Sequence, residues 1–101
     1  MYNDIIKNKW GDVMVFKKMI ITNKSGLHAR PASLFVELAN KFKSEIFIKK
    51  ENITVNAKSI MGVMTLGVGK NTELIIQAKG LDEEEALDRL VKIIESGFNE
   101  E

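Results

Sequence analysis

A single histidine, His28, stands in the run Gly26-Leu-His-Ala-Arg-Pro31, directly after the turn-forming cluster Asn23-Lys24-Ser25-Gly26. Proline has no backbone N–H and is tolerated in a helix only in its first turn, so Pro31 fixes a helix start at or next to His28. Unpartnered amide N–H groups project from such a start, and the helix dipole there favours anions. An imidazole nitrogen held at that mouth can attack phosphorus, and the phosphoryl oxygens it acquires meet donors already in place. Arg30, two residues on, supplies a planar cation suited to phosphate oxygens, and Ser25 one further hydroxyl donor. Transfer of a phosphoryl group between two nucleophiles asks for positioning and charge more than covalent assistance, and these side chains offer both. The same residues permit a plainer account, in which His28 only caps the helix. One histidine and no cysteine leave too few ligands for a metal site, so neither metal nor cofactor is expected.

A second group lies in Lys58-Ser-Ile-Met-Gly-Val-Met-Thr-Leu-Gly67. Ser59 suits the N-cap of a short helix that Gly67 stops. A phosphate on a serine so placed is tolerated by the helix and adds about two negative charges to the surface. That charge is expected beside His28, where it would repel an incoming phosphoryl donor. Ile60, Met61 and Met64 follow at helical spacing. Such a stripe is core by the commonest reading, or an adaptable docking surface for several partners by the other.

The elements that must position these residues are legible from Val15 onward. Val15–Thr22 is a strand by apolar content, and Pro31, Phe35, Leu38 and Phe42 recur at the helical interval. Glu45–Lys50 and Ile53–Ala57 form a hairpin about Glu51-Asn52, with Ile53, Val55 and Ala57 on one face. The Ser59 helix follows, then a strand in which Leu74, Ile76 and Ala78 alternate. Asp82 and Glu85 form a capping box for a last helix whose buried stripe is Leu87, Leu90, Val91, Ile94 and Phe98. The order β-α-β-β-α-β-α predicts an α+β open-faced two-layer sandwich: a four-stranded antiparallel sheet covered on one face by three helices. Residues 1–13, with the only Trp and Tyr, show no period and are expected to form a tail outside the fold. Trp10-Gly11 must be encoded by a run of guanines just upstream of the Met14 codon, in the place of a ribosome-binding site. Either Met14 is the natural start, or residues 1–13 are a genuine N-terminal arm; residues 14–101 are the domain in both cases.

With 101 residues, 45% hydrophobic and 29% charged, the chain suits one globular domain. No apolar run approaches a membrane span and no signal-peptide pattern opens the chain, so a cytoplasmic protein without membrane insertion is expected. The net charge of +1 hides an asymmetry. Residues 14–81 carry eleven Lys/Arg against four acids, and residues 82–101 two against eight. The basic part holds every residue singled out above and favours an anionic partner. Its lysines are scattered, with Phe42 and Phe47 among them but no aromatic platform, which argues against direct nucleic-acid binding.

Gly26-Leu-His-Ala-Arg-Pro-Ala32 together with Lys58–Gly67 resembles the histidine-containing phosphocarrier protein family, HPr, of the bacterial phosphoenolpyruvate:sugar phosphotransferase system. The resemblance runs over residues 14–101. It implies that His28 accepts a phosphoryl group on Nδ1 from phospho-enzyme I with help from Arg30. Ser25 and Ala29 would support the pocket, and EIIA domains would receive the group. It implies that a monomeric carrier, rather than an enzyme in the strict sense, is charged and discharged by other proteins. The Gram-positive form further implies that an HPr kinase/phosphorylase modifies Ser59. The product would slow transfer from enzyme I and act as co-effector of a catabolite control repressor. Docking is then implied for Met61 at least, with Ile60 and Met64 beside it. A paralogue specialised for repression lacks the active histidine, so the presence of His28 argues against that paralogue.

Overall fold

A computed structural model describes residues 4–7 and 13–100 of the chain. In chain order the elements are β1 (Asp4–Lys7), β2 (Val13–Ile20), α1 (Ala29–Ala39), β3 (Glu45–Lys50), β4 (Ile53–Asn56), α2 (Ile60–Thr65), β5 (Glu73–Lys79) and α3 (Glu83–Glu95), followed by a 3-10 turn at Gly97–Asn99. The strands form one antiparallel sheet in the order β1-β2-β5-β3-β4. The four expected strands and three helices are all present, so the open-faced α+β sandwich stands. One expectation is corrected. Residues 4–7, read as part of a tail outside the fold, form a fifth strand against β2. Four residues are too few for an alternation of period two to show in the sequence. Trp10 and Gly11 lie outside the described residues.

Register explains which face is covered. Val15 and Ile46 both lie opposite Ala78, and Ile48 lies opposite Ile76, so one face gathers apolar side chains from three strands. These residues are buried together with Phe35 from α1, Val63 from α2, and Leu87, Leu90 and Ile94 from α3. On the other face Phe16, Phe47, Ile75 and Gln77 are only half-buried, and Lys18 and Thr54 are exposed. Alternation along β2 was blurred because Lys17 and Met19 sit on the covered face but are only half-buried.

The start of α3 also departs from expectation. Asp82 makes no side-chain cap bond to α3, so the Asp82–Glu85 capping box is absent. Glu83 instead accepts a hydrogen bond from the Gly80 amide at 3.0 Å. The Asp82 carboxylate turns to the loop after α1, where the Lys43 and Ser44 amides each donate to it at 2.9 Å and the Ser44 hydroxyl donates at 2.5 Å. That latch holds the far end of α1 to the start of α3. The Ser44 hydroxyl, ahead of the Lys43 amide, holds the Asp82 carboxyl down at a pKa of about 2.

Candidate functional site

The turn that carries His28 is pinned from both sides. Gly26 adopts φ +65° and passes so close to the loop before β5 that a Cβ on it would meet the Val68 carbonyl oxygen at 2.3 Å. Only glycine tolerates both the left-handed conformation and the approach. The Leu27 amide then donates to the Val68 carbonyl at 2.9 Å, and the Leu27 side chain enters the core. Asn23, itself buried, donates from Nδ2 to the Gly26 carbonyl at 2.9 Å and closes the turn from within. His28 follows in extended conformation as the N-cap position of α1.

His28 is exposed and makes no side-chain cap hydrogen bond. A histidine whose task was to cap α1 would place a ring nitrogen on one of the first amides; this one does not. The amides of Ala29 and Arg30 fall before the i→i−4 ladder begins, and Pro31 has none to offer. The first intrahelical acceptance at this end is by the His28 carbonyl, from the Ala32 amide at 3.3 Å. Ala29 sits at φ +28°, a conformation that costs a residue with a Cβ of order 1–3 kcal/mol and that clusters at functional sites. No feature of the sequence forecasts that angle.

Arg30 and Ser25 are exposed and line one open cleft with Lys24, Pro31, Phe98 and Glu100; His28 stands at the helix mouth outside that lining. The sequence reading missed Glu100. Its carboxylate accepts from the Ser25 hydroxyl, from the Ser25 amide at 3.3 Å and from Asn23 Nδ2 at 3.2 Å. The Ser25 hydroxyl foremost, then Asn23, and Arg30 at longer range, hold the Glu100 carboxyl below its ordinary pKa. Ser25, expected to serve phosphoryl oxygens, is therefore engaged by an internal carboxylate. The chain brings Glu100 there through the 3-10 turn, where Phe98 is buried at φ +56° and reverses the backbone after α3. A remote acid joined by 75 positions of sequence separation leaves no local signal.

Ser59 occupies the N-cap of α2, where its hydroxyl accepts from the Gly62 amide at 3.1 Å. Its place corrects the expectation that it lies beside His28. Asn40, at the C-terminal end of α1, donates from its side chain to the Lys58 carbonyl at 3.1 Å. The other end of α2 leads into Val68, which meets Leu27 at the N-terminal end of α1. The two helices thus run in opposite senses, and Ser59 is separated from His28 by roughly the length of α1, about 16 Å at 1.5 Å per residue. At that distance a screened surface charge acts weakly on the ring. Ile60, Met61 and Met64 lie between the two ends, exposed by 37%, 73% and 41%, while Val63 is the residue of α2 that enters the core. The stripe is surface, not core. Lys50 steadies this helix, donating from Nζ to the Leu66 and Gly67 carbonyls at 3.0 and 3.2 Å. Among the described residues no group of three or more acids and histidines converges as a metal site, and no helix is long and apolar enough to cross a membrane.

Known proteins share this fold. The family model described as the PTS HPr component phosphorylation site matches residues 15–96. The phosphocarrier protein HPr of Treponema pallidum is 43% identical over 88 residues, covering 87% of this chain and all of that protein. The solved structure of HPr-C-His from Thermoanaerobacter tengcongensis superposes with a TM-score of 0.84 at 55% identity, covering 85% of this chain and 97% of that one. A solved structure of the Bacillus subtilis catabolite-repression protein Crh, described as a dimer with a swapped domain, superposes with a TM-score of 0.67. It is 51% identical, covering 72% of this chain and 84% of its own. The fold and the matched segment define a small phosphocarrier. The chain belongs to the HPr family of the phosphotransferase system.

Proposed function

We propose that this protein cycles between histidine and phosphohistidine at His28, taking its phosphoryl group from phospho-enzyme I and giving it to EIIA domains. The observation that carries this reading is the state of the His28 side chain: exposed at the start of α1 and committed to no cap bond. A ring nitrogen forms the new N–P bond as the bond from phosphorus to its donor atom on enzyme I breaks. The amides at the mouth of α1 and the Arg30 guanidinium take up the charge on the transferred oxygens. Ala29 presents the first of those amides, and Ser25 joins them when Glu100 releases it. The protein is consumed and regenerated by its partners, so it acts as their substrate rather than as an enzyme. It works in the cytoplasm as a monomer.

Ile60, Met61 and Met64 form the docking surface shared by these partners, on the evidence of their exposure in one contiguous helix. Ser59 is a second input. Its phosphorylation by an HPr kinase/phosphorylase adds charge at the edge of that docking surface, slowing enzyme I and creating the form that binds a catabolite control repressor.

The similarity to Crh favours one alternative, a regulatory module never phosphorylated on histidine. Incubation with phosphoenolpyruvate and enzyme I separates the two. Acid-labile label on the parent chain and none on His28→Ala is expected; no label on the parent chain would eliminate the carrier reading.

A further inference from the structure

All sulfur in this chain belongs to methionine: there are five, and no cysteine thiolate stands as a first target for an oxidant. The methionines are not equivalent. Met14 and Met19 lie in β2 and are half-buried, Met19 packed against the core. Met61 and Met64 stand on α2 with 73% and 41% of their surfaces exposed. Three positions apart, they are neighbours on the helix surface. What fastens α2 lies elsewhere on it. Val63 enters the core, the Ser59 hydroxyl accepts from the Gly62 amide, and Lys50 donates to the Leu66 and Gly67 carbonyls. A change at the two sulfurs therefore alters the surface of α2 without loosening the helix.

We propose that Met61 and Met64 are a peroxide-oxidation site, through which an oxidant lowers the affinity of this protein for the partners that dock on α2. The inference rests on the reading of these residues as a docking surface. Each thioether sulfur attacks one oxygen of hydrogen peroxide. The S–O bond forms as the O–O bond breaks, sulfur gives up two electrons, and the other oxygen leaves as water. A flexible apolar side chain thereby becomes a polar, chiral sulfoxide. A partner that seats on it must strip water from a strong acceptor, which costs free energy unless a donor replaces that water. A thiol-dependent sulfoxide reductase reverses the change: its two thiols become a disulfide as the added oxygen departs as water. His28 and its surroundings are left as they were, so the loss falls on association and not on the transfer step.

The test exposes the full chain to dilute hydrogen peroxide, removes the peroxide, and maps sulfoxides by mass spectrometry of peptides. Steady-state kinetics with enzyme I then compare treated, untreated and reductase-repaired protein. Met61→Leu/Met64→Leu is treated in the same way and compared with its own untreated rate. Met61→Gln/Met64→Gln, left untreated, places a polar side chain at both positions. Oxygen is expected at Met61 and Met64 before Met14 and Met19. The KM for this protein should rise several-fold with kcat little changed, and repair should restore it. The double-leucine chain should show no response to peroxide, and the double-glutamine chain should have a raised KM without it. Oxidation that reaches Met14 or Met19 first, or sulfoxides at Met61 and Met64 with an unchanged KM, would overturn the proposal. So would a raised KM accompanied by unfolding in circular dichroism. An unchanged KM in the double-glutamine chain would overturn the docking reading as well; a raised one there, beside an indifferent oxidised chain, would overturn the oxidation site alone.

Discussion

At the scale of single residues, His28 and Glu100 frame the chemistry from opposite ends of the sequence. His28 makes no cap bond, so His28→Ala removes no hydrogen bond from α1. Its expected outcome is complete loss of phosphoryl acceptance with an unchanged thermal midpoint, checked by transfer assay and calorimetry on the same preparation. Glu100 places a carboxylate on Ser25 and a negative charge near Arg30, where an incoming phosphoryl group is also negative. Glu100→Gln should therefore speed acceptance, by up to about fivefold for an exposed charge. The sign of its pH dependence follows from the lowered pKa. The carboxylate contact is complete above the ordinary glutamate range and is lost as pH falls through the lowered value. Parent and variant rates should thus differ at neutral pH and converge in acid. Ser25 and Arg30 were legible from type and spacing because they sit within five residues of the histidine. Glu100 was not, because its role depends on where the last turn returns.

At the scale of elements, the relation between α1 and α2 decides how Ser59 can act. The helices run oppositely, which separates Ser59 from His28 and sets the exposed methionines between them. Ser59→Asp is accordingly expected to weaken binding of enzyme I, raising its KM for this protein several-fold while kcat changes little. Ser59→Ala should behave as the parent. Steady-state kinetics with enzyme I checks both; an effect of Ser59→Asp confined to kcat would place the charge on the chemistry instead. Helix existence, type and cap were all readable here, since Ser59 and Gly67 bracket the segment. The direction of α2 against α1 was not, because it is set by side-chain-to-backbone bonds such as Asn40 to Lys58 between distant segments. The same reason hid β1, whose partner strand, not its own four residues, makes it a strand.

At the scale of the whole molecule, the sandwich holds both ends of α1. Gly26 and Leu27 fasten its start to the loop before β5, and Asp82 fastens the loop after it to α3. The Asp82 latch titrates. A carboxyl with its pKa lowered to about 2 stabilises the fold fully above the ordinary value of 3.8 and loses that contribution as pH falls through about 2. Asp82→Asn should lower the thermal midpoint at neutral pH, and the gap should narrow below pH 3.8, measured by thermal unfolding across that range. Phosphoryl acceptance should survive, since the latch lies at the end of α1 remote from His28. A carrier must also give up what it takes. The most direct measurement is single-turnover transfer from the purified phosphorylated chain to an EIIA domain with enzyme I absent. Quantitative loss of phosphohistidine from His28, matched by its appearance on EIIA, is the predicted result. A phosphohistidine that forms on His28 but never moves to EIIA would contradict the account.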